Sequence, residues 1–421
     1  FEVTKSHWIL NFEFFIAKRL ISAQSYKSKV SAPIIKIGVL AIAISIVVML
    51  VAVAVSLGLQ QKIRDKAVAF NGHITISNFD ANLSEGAQVP IEKNQPFYPQ
   101  FNKLNGISHV QAVAQKFGII RTKTDFEGLF LKGVGEDYNW DYFKEFLIQG
   151  RLPSYSKSYS EAVLVSEYLA NRLGFKLGDR FQMYFLKSDT SLPPSIMKFN
   201  IVGIYNSGFE ELDKTFLIGD LNHVQRLNRW SVNQIGQFEV FIDDYKDLDS
   251  KGVEVYSEIA TSLNAETIEQ KYPVIFEWIK IFDKNTYGII IMMIIVGVTN
   301  MVTALLVLIL ERTQMIGILK AMGSRSWSIQ KIFIYTASYL AVTGLILGNA
   351  IGLSLLLIQK YLSPIQLDPS IYYVTKAPIS IDLPTILILN ISTFLICLAT
   401  LVIPSYLIAR ISPVKAIQFD S

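Results

Sequence analysis

The chain has 421 residues, of which 51% are hydrophobic and 18% charged, against about 25% charged in an ordinary soluble protein. This is a membrane composition, and it excludes a disordered or collagen-like chain. Cys397, the single cysteine, excludes an internal disulfide framework, and the net charge of +4 carries meaning only through where the charges sit.

In residues 1–36, Phe12, Phe15, Ile16 and Leu20 recur at helical spacing with Glu13, Lys18 and Arg19 between them. The pattern predicts an amphipathic helix in the cytoplasmic interface, with a plain cytoplasmic extension as the alternative. It should end before Ser31-Ala32-Pro33, because proline disfavours helical geometry in the residue before it. Residues 37–59 then form a charge-free run of 23, enough for a helix to cross a hydrocarbon core of about 30 Å. The run is longer than the apolar part of a signal peptide and follows thirty-six other residues, so a spanning helix is expected.

Residues 60–285 are too many for a connecting loop and predict a mixed α/β domain. Strand-like runs occur at 73–77, 110–114, 128–132, 162–165, 180–185, 198–205 and 238–242. Ser166 can cap a helix over Glu167–Leu173 that Gly174 stops, Gly178-Asp179 turns into the next strand, and 247–263 reads as another helix. At the domain's two ends, residues 60–68 are charged on one side, and Val274, Trp278, Ile281 and Phe282 recur at helical spacing. These read as helical stems extending the first two spans outward, able to transmit motion as flexible linkers would not.

Three more charge-free runs follow: 286–310, 332–358 and 383–409, of 25, 27 and 27 residues. They are separated by the loops 311–331 and 359–382 and followed by a tail, 410–421. Four spans put 1–36, 311–331 and 410–421 on one face, where twelve Lys/Arg stand against Glu2, Glu13, Glu311 and Asp420. The rest of the chain holds 27 basic and 31 acidic residues, so the positive-inside rule places the termini in the cytoplasm. The distribution argues for membrane orientation and against a nucleic-acid surface.

Motifs for catalysis are missing from this sequence. No G-x-x-x-x-G-K-[ST] loop, H-E-x-x-H, C-x-x-C or G-x-S-x-G occurs, and His7, His73, His109 and His223 are scattered. No catalytic residue, metal site or cofactor of the chain's own is expected. Glu210, Glu211 and Asp213 read as a solvated turn. Asn300, Asn349 and Asn390, one in each later span, suit interhelical hydrogen bonds better than an ion path. With no Asp, Glu, Lys, Arg or His inside a span, proton- or sodium-driven transport is disfavoured.

The run Glu311-Arg312-Thr313-Gln314-Met315-Ile316-Gly317-Ile318-Leu319-Lys320-Ala321-Met322-Gly323 resembles the E-R-x-x-E-I-G-I-L-x-A-x-G signature of FtsX/MacB-type ABC permeases, with Met315 in place of the glutamate. It reads as a short helix with Met315, Ile318, Leu319 and Met322 on one apolar face, Arg312 and Lys320 in water, and Gly323 closing it. Phe70-Asn71-Gly72-His73-Ile74-Thr75-Ile76 and Gln366-Leu367-Asp368-Pro369-Ser370-Ile371-Tyr372-Tyr373-Val374 with Pro378 resemble motifs of one branch, the lipoprotein-releasing permeases of the LolC/LolE type. So does Ile201-Val202-Gly203-Ile204-Tyr205-Asn206-Ser207-Gly208 with Glu211 and Asp213.

The resemblance implies an α-helical membrane protein with four transmembrane helices and a large mixed α/β periplasmic domain, a MacB-like periplasmic core, in a Gram-negative inner membrane. It implies a non-catalytic permease that pairs with a second permease, as homo- or heterodimer, among membrane lipids. A separate ABC ATPase would bind ATP and Mg and engage the coupling residues Glu311, Arg312, Met315, Gly317, Ile318, Leu319, Lys320, Ala321 and Gly323. Lipoprotein substrates would pass to a periplasmic carrier. The family's carrier-binding loop corresponds to residues 186–198, with Leu186, Leu192, Pro193, Pro194 and Lys198, although a plain surface hairpin suits the segment as well. Acyl chains need an apolar receiving surface, and Leu40, Ile44, Val47, Val51 and Val55 with Ile290, Met293, Ile294 and Val298 are candidates; each also suits a lipid-facing or packing position. Two other readings share the architecture: a MacB-like exporter of peptides or drugs, and an FtsX-like regulator of cell-wall hydrolases.

Overall fold

A computed structural model describes residues 12–22, 31–80, 88–123, 125–156, 158–187, 193–368, 372 and 374–405. In chain order, α1 (Phe12–Ser22) and the long α2 (Ser31–Asn71) precede β1 (Ile74–Asn78), β2 (Ile91–Glu92), β3 (Ile107–Arg121) and β4 (Phe126–Val134). Next come α3 (Asp141–Lys144), β5 (Leu147–Gly150), β6 (Ala162–Ser166), α4 (Glu167–Leu173), β7 (Arg180–Phe185) and β8 (Ser195–Tyr205). They are followed by α5 (Glu210–Thr215), β9 (Phe216–Asp220), α6 (Leu221–Asn228), β10 (Gln234–Ile235), β11 (Gln237–Ile242), α7 (Leu248–Glu258), β12 (Leu263–Thr267) and α8 (Ile268–Lys271). The last elements are α9 (Pro273–Glu311), α10 (Thr313–Ala321), α11 (Ser326–Leu362) and α12 (Leu383–Ser405). The chain divides into two compact units, one of residues 1–59, 280–365 and 377–421, the other of 60–279 and 366–376.

In the first unit, α2, α9, α11 and α12 are each long and apolar enough to cross a membrane. Their buried faces meet in one cluster that includes Ile46 and Leu50 of α2, Leu305 of α9, Phe333 and Ala341 of α11, and Leu389 of α12. Close approach of α11 to α2 depends on Gly344, Gly348 and Gly352, spaced four apart. A Cβ at Gly348 would lie 2.8 Å from the Ala43 carbonyl oxygen, and one at Gly344 2.8 Å from Ile42 Cβ. Asn349 and Asn390 donate to each other's side-chain oxygens at 2.6 and 3.0 Å, joining α11 to α12. This is the interhelical bonding predicted, for two of the three asparagines.

Helix α1 lies against α11 with Ala17 buried, the Ser328 hydroxyl donating to Glu13 at 2.8 Å, and Phe14 edge-on to Tyr335. The face expected from Phe12, Phe15, Ile16 and Leu20 is therefore divided. Ile16 and Leu20 are half-buried beside Ala17, whereas Phe12 and Phe15 point outward with Phe14. Pro33 falls in the first turn of α2, where its missing N–H breaks no helical bond.

The second unit is built on a ten-stranded sheet in the order β12-β1-β11-β3-β4-β9-β6-β8-β5, with β7 bridging β3 and β8. Pairing is antiparallel except between β4 and β9 and between β6 and β8. An aromatic core of Phe70, Phe143, Phe146, Tyr205, Phe209 and Phe216 packs beside it. Helix α4 forms as its ends predict: the Ser166 hydroxyl accepts from the Leu169 N–H, and Gly174 takes the left-handed conformation at φ 69°.

Two expectations are corrected here. The helix read over 247–263 ends at Glu258, because a turn closed by the Leu263 N–H on the Ala260 carbonyl sends the chain into β12. Glu210, Glu211 and Asp213 belong to α5 rather than to a turn. Asp213 is buried, accepting from the Ser207 hydroxyl at 2.6 Å, and burial pushes its carboxyl up to about 6.

Candidate functional site

Thr313 opens α10 one residue after α9 ends, its hydroxyl donating to the Leu310 carbonyl at 2.6 Å. At the other end the Gly323 N–H reaches Lys320, the Ser324 N–H reaches Leu319, and Gly323 adopts φ 93°. These carbonyls would otherwise lack partners, and a left-handed glycine closes such ends without strain. The helix thus forms, but its predicted apolar face splits in two. Met315 and Leu319 pack on the bundle cluster around the fully buried Ile316, with Gly317 buried beside them. Ile318 and Met322 point away, 49% and 77% exposed, alongside the exposed Ala321 and Gly323. A helix turns about 100° per residue, so 315, 316 and 319 form one stripe and 318 and 321 another, while Met322 stands outward at the C-cap, past the last helical residue. Arg312 and Lys320 are half-buried and Glu311 is exposed.

On α2, Leu40 and Ile44 are 56% and 53% exposed; of the other candidates Val51 packs on the bundle cluster, while Val47 and Val55, half-buried, continue the outward stripe. This stripe lies opposite the face of Ile42, Ile46 and Met49 that enters the core. The stripe expected on α9 is oriented otherwise. Ile290, Met293 and Ile294 pack on the bundle cluster and Val298 is half-buried, whereas Ile291, Met292 and Ile295 point outward. Both helices are apolar all round, so periodicity selects stripes without ranking them.

Strands β7 and β8 form an antiparallel hairpin from Arg180↔Asn200 to Phe185↔Ser195, and residues 186–194 connect them. Leu186, Pro193, Pro194 and Lys198 are exposed, while Leu192 lies outside the described residues. Beside the hairpin runs a groove of about 840 Å³ whose rim carries Lys116, Lys187, Lys198, Arg226 and Arg229 with, among the described residues, one acid, Glu161. Only Lys198 was singled out from the sequence. The other four cations come from β3, the hairpin loop, α6 and the turn after it, and no linear signal links them.

Of the histidines, His73 is buried, accepts the Ile242 N–H at Nδ1, and is held down to about 4 by burial. His109 and His223 meet the carbonyls of Asp137 and Ser160. Among the described residues no group of three His, Cys, Asp or Glu could hold a metal. The site is thus a set of surfaces: an apolar stripe on a spanning helix, a short helix between two spans, and a hairpin beside a basic groove.

Comparison with known proteins defines the class. Residues 37–251 match the MacB-like periplasmic core domain and residues 287–413 the FtsX-like permease C-terminal family. The first match alone spans just over half of the chain, which therefore belongs to the FtsX/MacB-like permeases, the membrane subunits of ABC transporters. It is a multi-pass inner-membrane protein whose large α/β domain is periplasmic.

Its relatives include the lipoprotein-releasing system transmembrane protein LolC of Xylella fastidiosa, 21% identical over 387 residues that cover 86% of this chain and 88% of that one. LolC of Haemophilus influenzae is 23% identical over 297 residues, 68% and 69% of the two chains. The crystallised periplasmic region of MacB from Actinobacillus actinomycetemcomitans aligns with 49% of this chain and 95% of that one, at 17% identity and a TM-score of 0.32.

Proposed function

We propose that this chain is the permease of a lipoprotein-releasing transporter: it takes acylated lipoproteins from the outer leaflet of the inner membrane and passes them to a periplasmic carrier. A separate ATPase, binding ATP and Mg, docks on the outward face of α10, and a second permease completes the membrane assembly. The reading is supported by likeness to proteins named for lipoprotein release along most of the chain, and the observation that carries it is the uncharged outward stripe of α2.

Burying acyl chains is worth about 0.8 kcal/mol per CH₂, so drawing three of them from a bilayer costs on the order of tens of kcal/mol unless another apolar surface receives them. Leu40, Ile44, Val47 and Val55 offer such a surface on the helix that continues into the first stem, whereas Val51 turns to the bundle. The outward face of α9 that meets it in this reading is Ile291, Met292 and Ile295 rather than the stripe first considered. Carrier docking is assigned to the β7–β8 hairpin, where the neighbouring cations favour an acidic partner.

A photoreactive residue at Ile44 or Val47 is expected to capture a triacylated lipoprotein in the ATP-free transporter and to lose it when ATP is trapped. At Ile346, equally outward on α11, little capture is expected in either state. Equal labelling at all three positions, or capture of a non-acylated peptide alone, would defeat the assignment and favour a MacB-like exporter.

A further inference from the structure

The carbonyls at the end of a helix have no partner within it and must find one elsewhere. In the last turn of α2, within the periplasmic unit, one of those partners is the backbone just past the helix and the others are side chains of the sheet and of the loop after β4. The Val68 carbonyl takes the Gly72 N–H, and Ala69 takes the Tyr138 hydroxyl at 3.4 Å. Phe70 takes Lys132 Nζ at 2.5 Å, and Asn71 takes the Thr75 hydroxyl at 3.2 Å. Lys132 sits on β4 and reaches across β3 to Glu239 of β11 at 2.6 Å, and both side chains are fully buried. Glu239 is held in turn by Gln111 Nε2 at 2.8 Å. The start of the second stem is tied to the same place: the Tyr272 hydroxyl donates to the Asn71 side chain at 3.0 Å, and the Ile268 N–H to the His73 carbonyl.

A buried ion pair contributes little net stability compared with apolar residues of the same volume, so stability alone does not account for this one. What an apolar pair could not do is hold a helix carbonyl. Lys132 places a cation against the negative end of the helix dipole while its partner is fixed two strands away. An axial pull on α2 therefore reaches β4 and β11 through the Lys132 ammonium group as well as through the chain itself into β1, and reaches the start of α9 through Asn71 and Tyr272.

We propose that Lys132, held by Glu239, is a positioning residue that anchors the end of the first stem to the periplasmic sheet, so that displacement of α2 becomes displacement of the domain. Insofar as that displacement expels lipoprotein, the proposal rests on the function assigned above. The anchor is a property of this chain's own contacts and is testable without that function.

The test uses the full permease with its ATPase in proteoliposomes and compares wild type, Lys132→Met/Glu239→Leu and Tyr272→Phe. The double variant is expected to stay folded, its unfolding temperature lowered by the unpaired Phe70 carbonyl, and to keep ATP hydrolysis, while lipoprotein released per ATP falls about tenfold. Backbone amides of residues 66–72 should exchange faster, with the rest of the sheet unchanged. A folded double variant with an unchanged release ratio and unchanged exchange would overturn the anchor. If the double variant does not fold, Tyr272→Phe leaves Lys132 in place and should lower the ratio severalfold; an unchanged ratio there overturns the proposal as well. Wild-type ATP turnover without release would remove the functional reading only, and amide exchange at 66–72 would then decide the anchor by itself.

Discussion

Gly348→Leu is expected to prevent the four-helix membrane unit from assembling. Even a bare Cβ at this position stands 2.8 Å from the Ala43 carbonyl oxygen and from Ile46 Cβ. The first of these is backbone, so no rotamer change relieves the clash; α11 must move away from α2. Overpacking a core costs about 1–3 kcal/mol where neighbouring side chains can shift, and the cost here falls at the upper end or beyond because α2 is also packed closely on α9, a Cβ at Gly38 lying 3.0 Å from Ala304. The melting temperature of the purified permease should drop by about 10 °C, with most of the protein lost from the membrane. Gly288→Ala is the matched control: its Cβ would meet nothing within 4 Å, and replacing a helical glycine at such a site is neutral or stabilising by about 0.5–1 kcal/mol. Equal melting temperatures for Gly348→Leu and wild type would mean that α11 and α2 do not pack through this stripe.

Ile318→Asp with Met322→Asp should abolish lipoprotein release while leaving the permease folded and in the membrane. Both side chains are exposed on α10 and make no part of the bundle cluster, so their loss leaves the membrane unit intact. Apolar anchors at the centre of an interface each contribute about 2 kcal/mol or more. Removing two should weaken ATPase binding by about three orders of magnitude. Ala321→Trp, on the same outward stripe, should act by steric exclusion with the same result. Met315→Asp separates the two roles, since Met315 packs inward: it should lower the melting temperature of the permease. Co-purification of the ATPase with each variant, together with release, decides the matter; normal co-purification with Ile318→Asp/Met322→Asp would remove α10 as the docking element.

The four spans were legible because charge-free runs of more than twenty residues have few meanings, and the stems because residues 60–68 are charged on one side and Val274, Trp278, Ile281 and Phe282 recur at helical spacing at the margins of those runs. Strand β9, Phe216-Leu217-Ile218-Gly219-Asp220, went unread: buried on both faces, it shows no alternation. Strands β2, β5 and β10 have two to four residues and carry no pattern of their own. The Gly344, Gly348, Gly352 stripe stands in the sequence as a small-residue repeat four apart, but the repeat does not say which helix it meets. Helix faces were the weaker part of the reading. On α9 and α10 every stripe is apolar enough to be the inner one, and only packing shows that Ile290, Met293 and Ile294 point inward while Ile318 and Met322 do not. The groove cations and the pair of Lys132 with Glu239, 107 residues apart, depend on sheet order, which composition and periodicity do not encode.

The claim that this permease extracts lipoproteins is tested most directly by transfer from proteoliposomes. The permease and the ATPase that co-purifies with it are reconstituted with a triacylated lipoprotein, and with the same protein after its lipid-bearing cysteine is replaced, and soluble carrier is added outside. ATP should move the acylated protein into a soluble complex with the carrier and leave the unacylated one where it was. ATP hydrolysis with no transfer, or transfer of both forms alike, would contradict it.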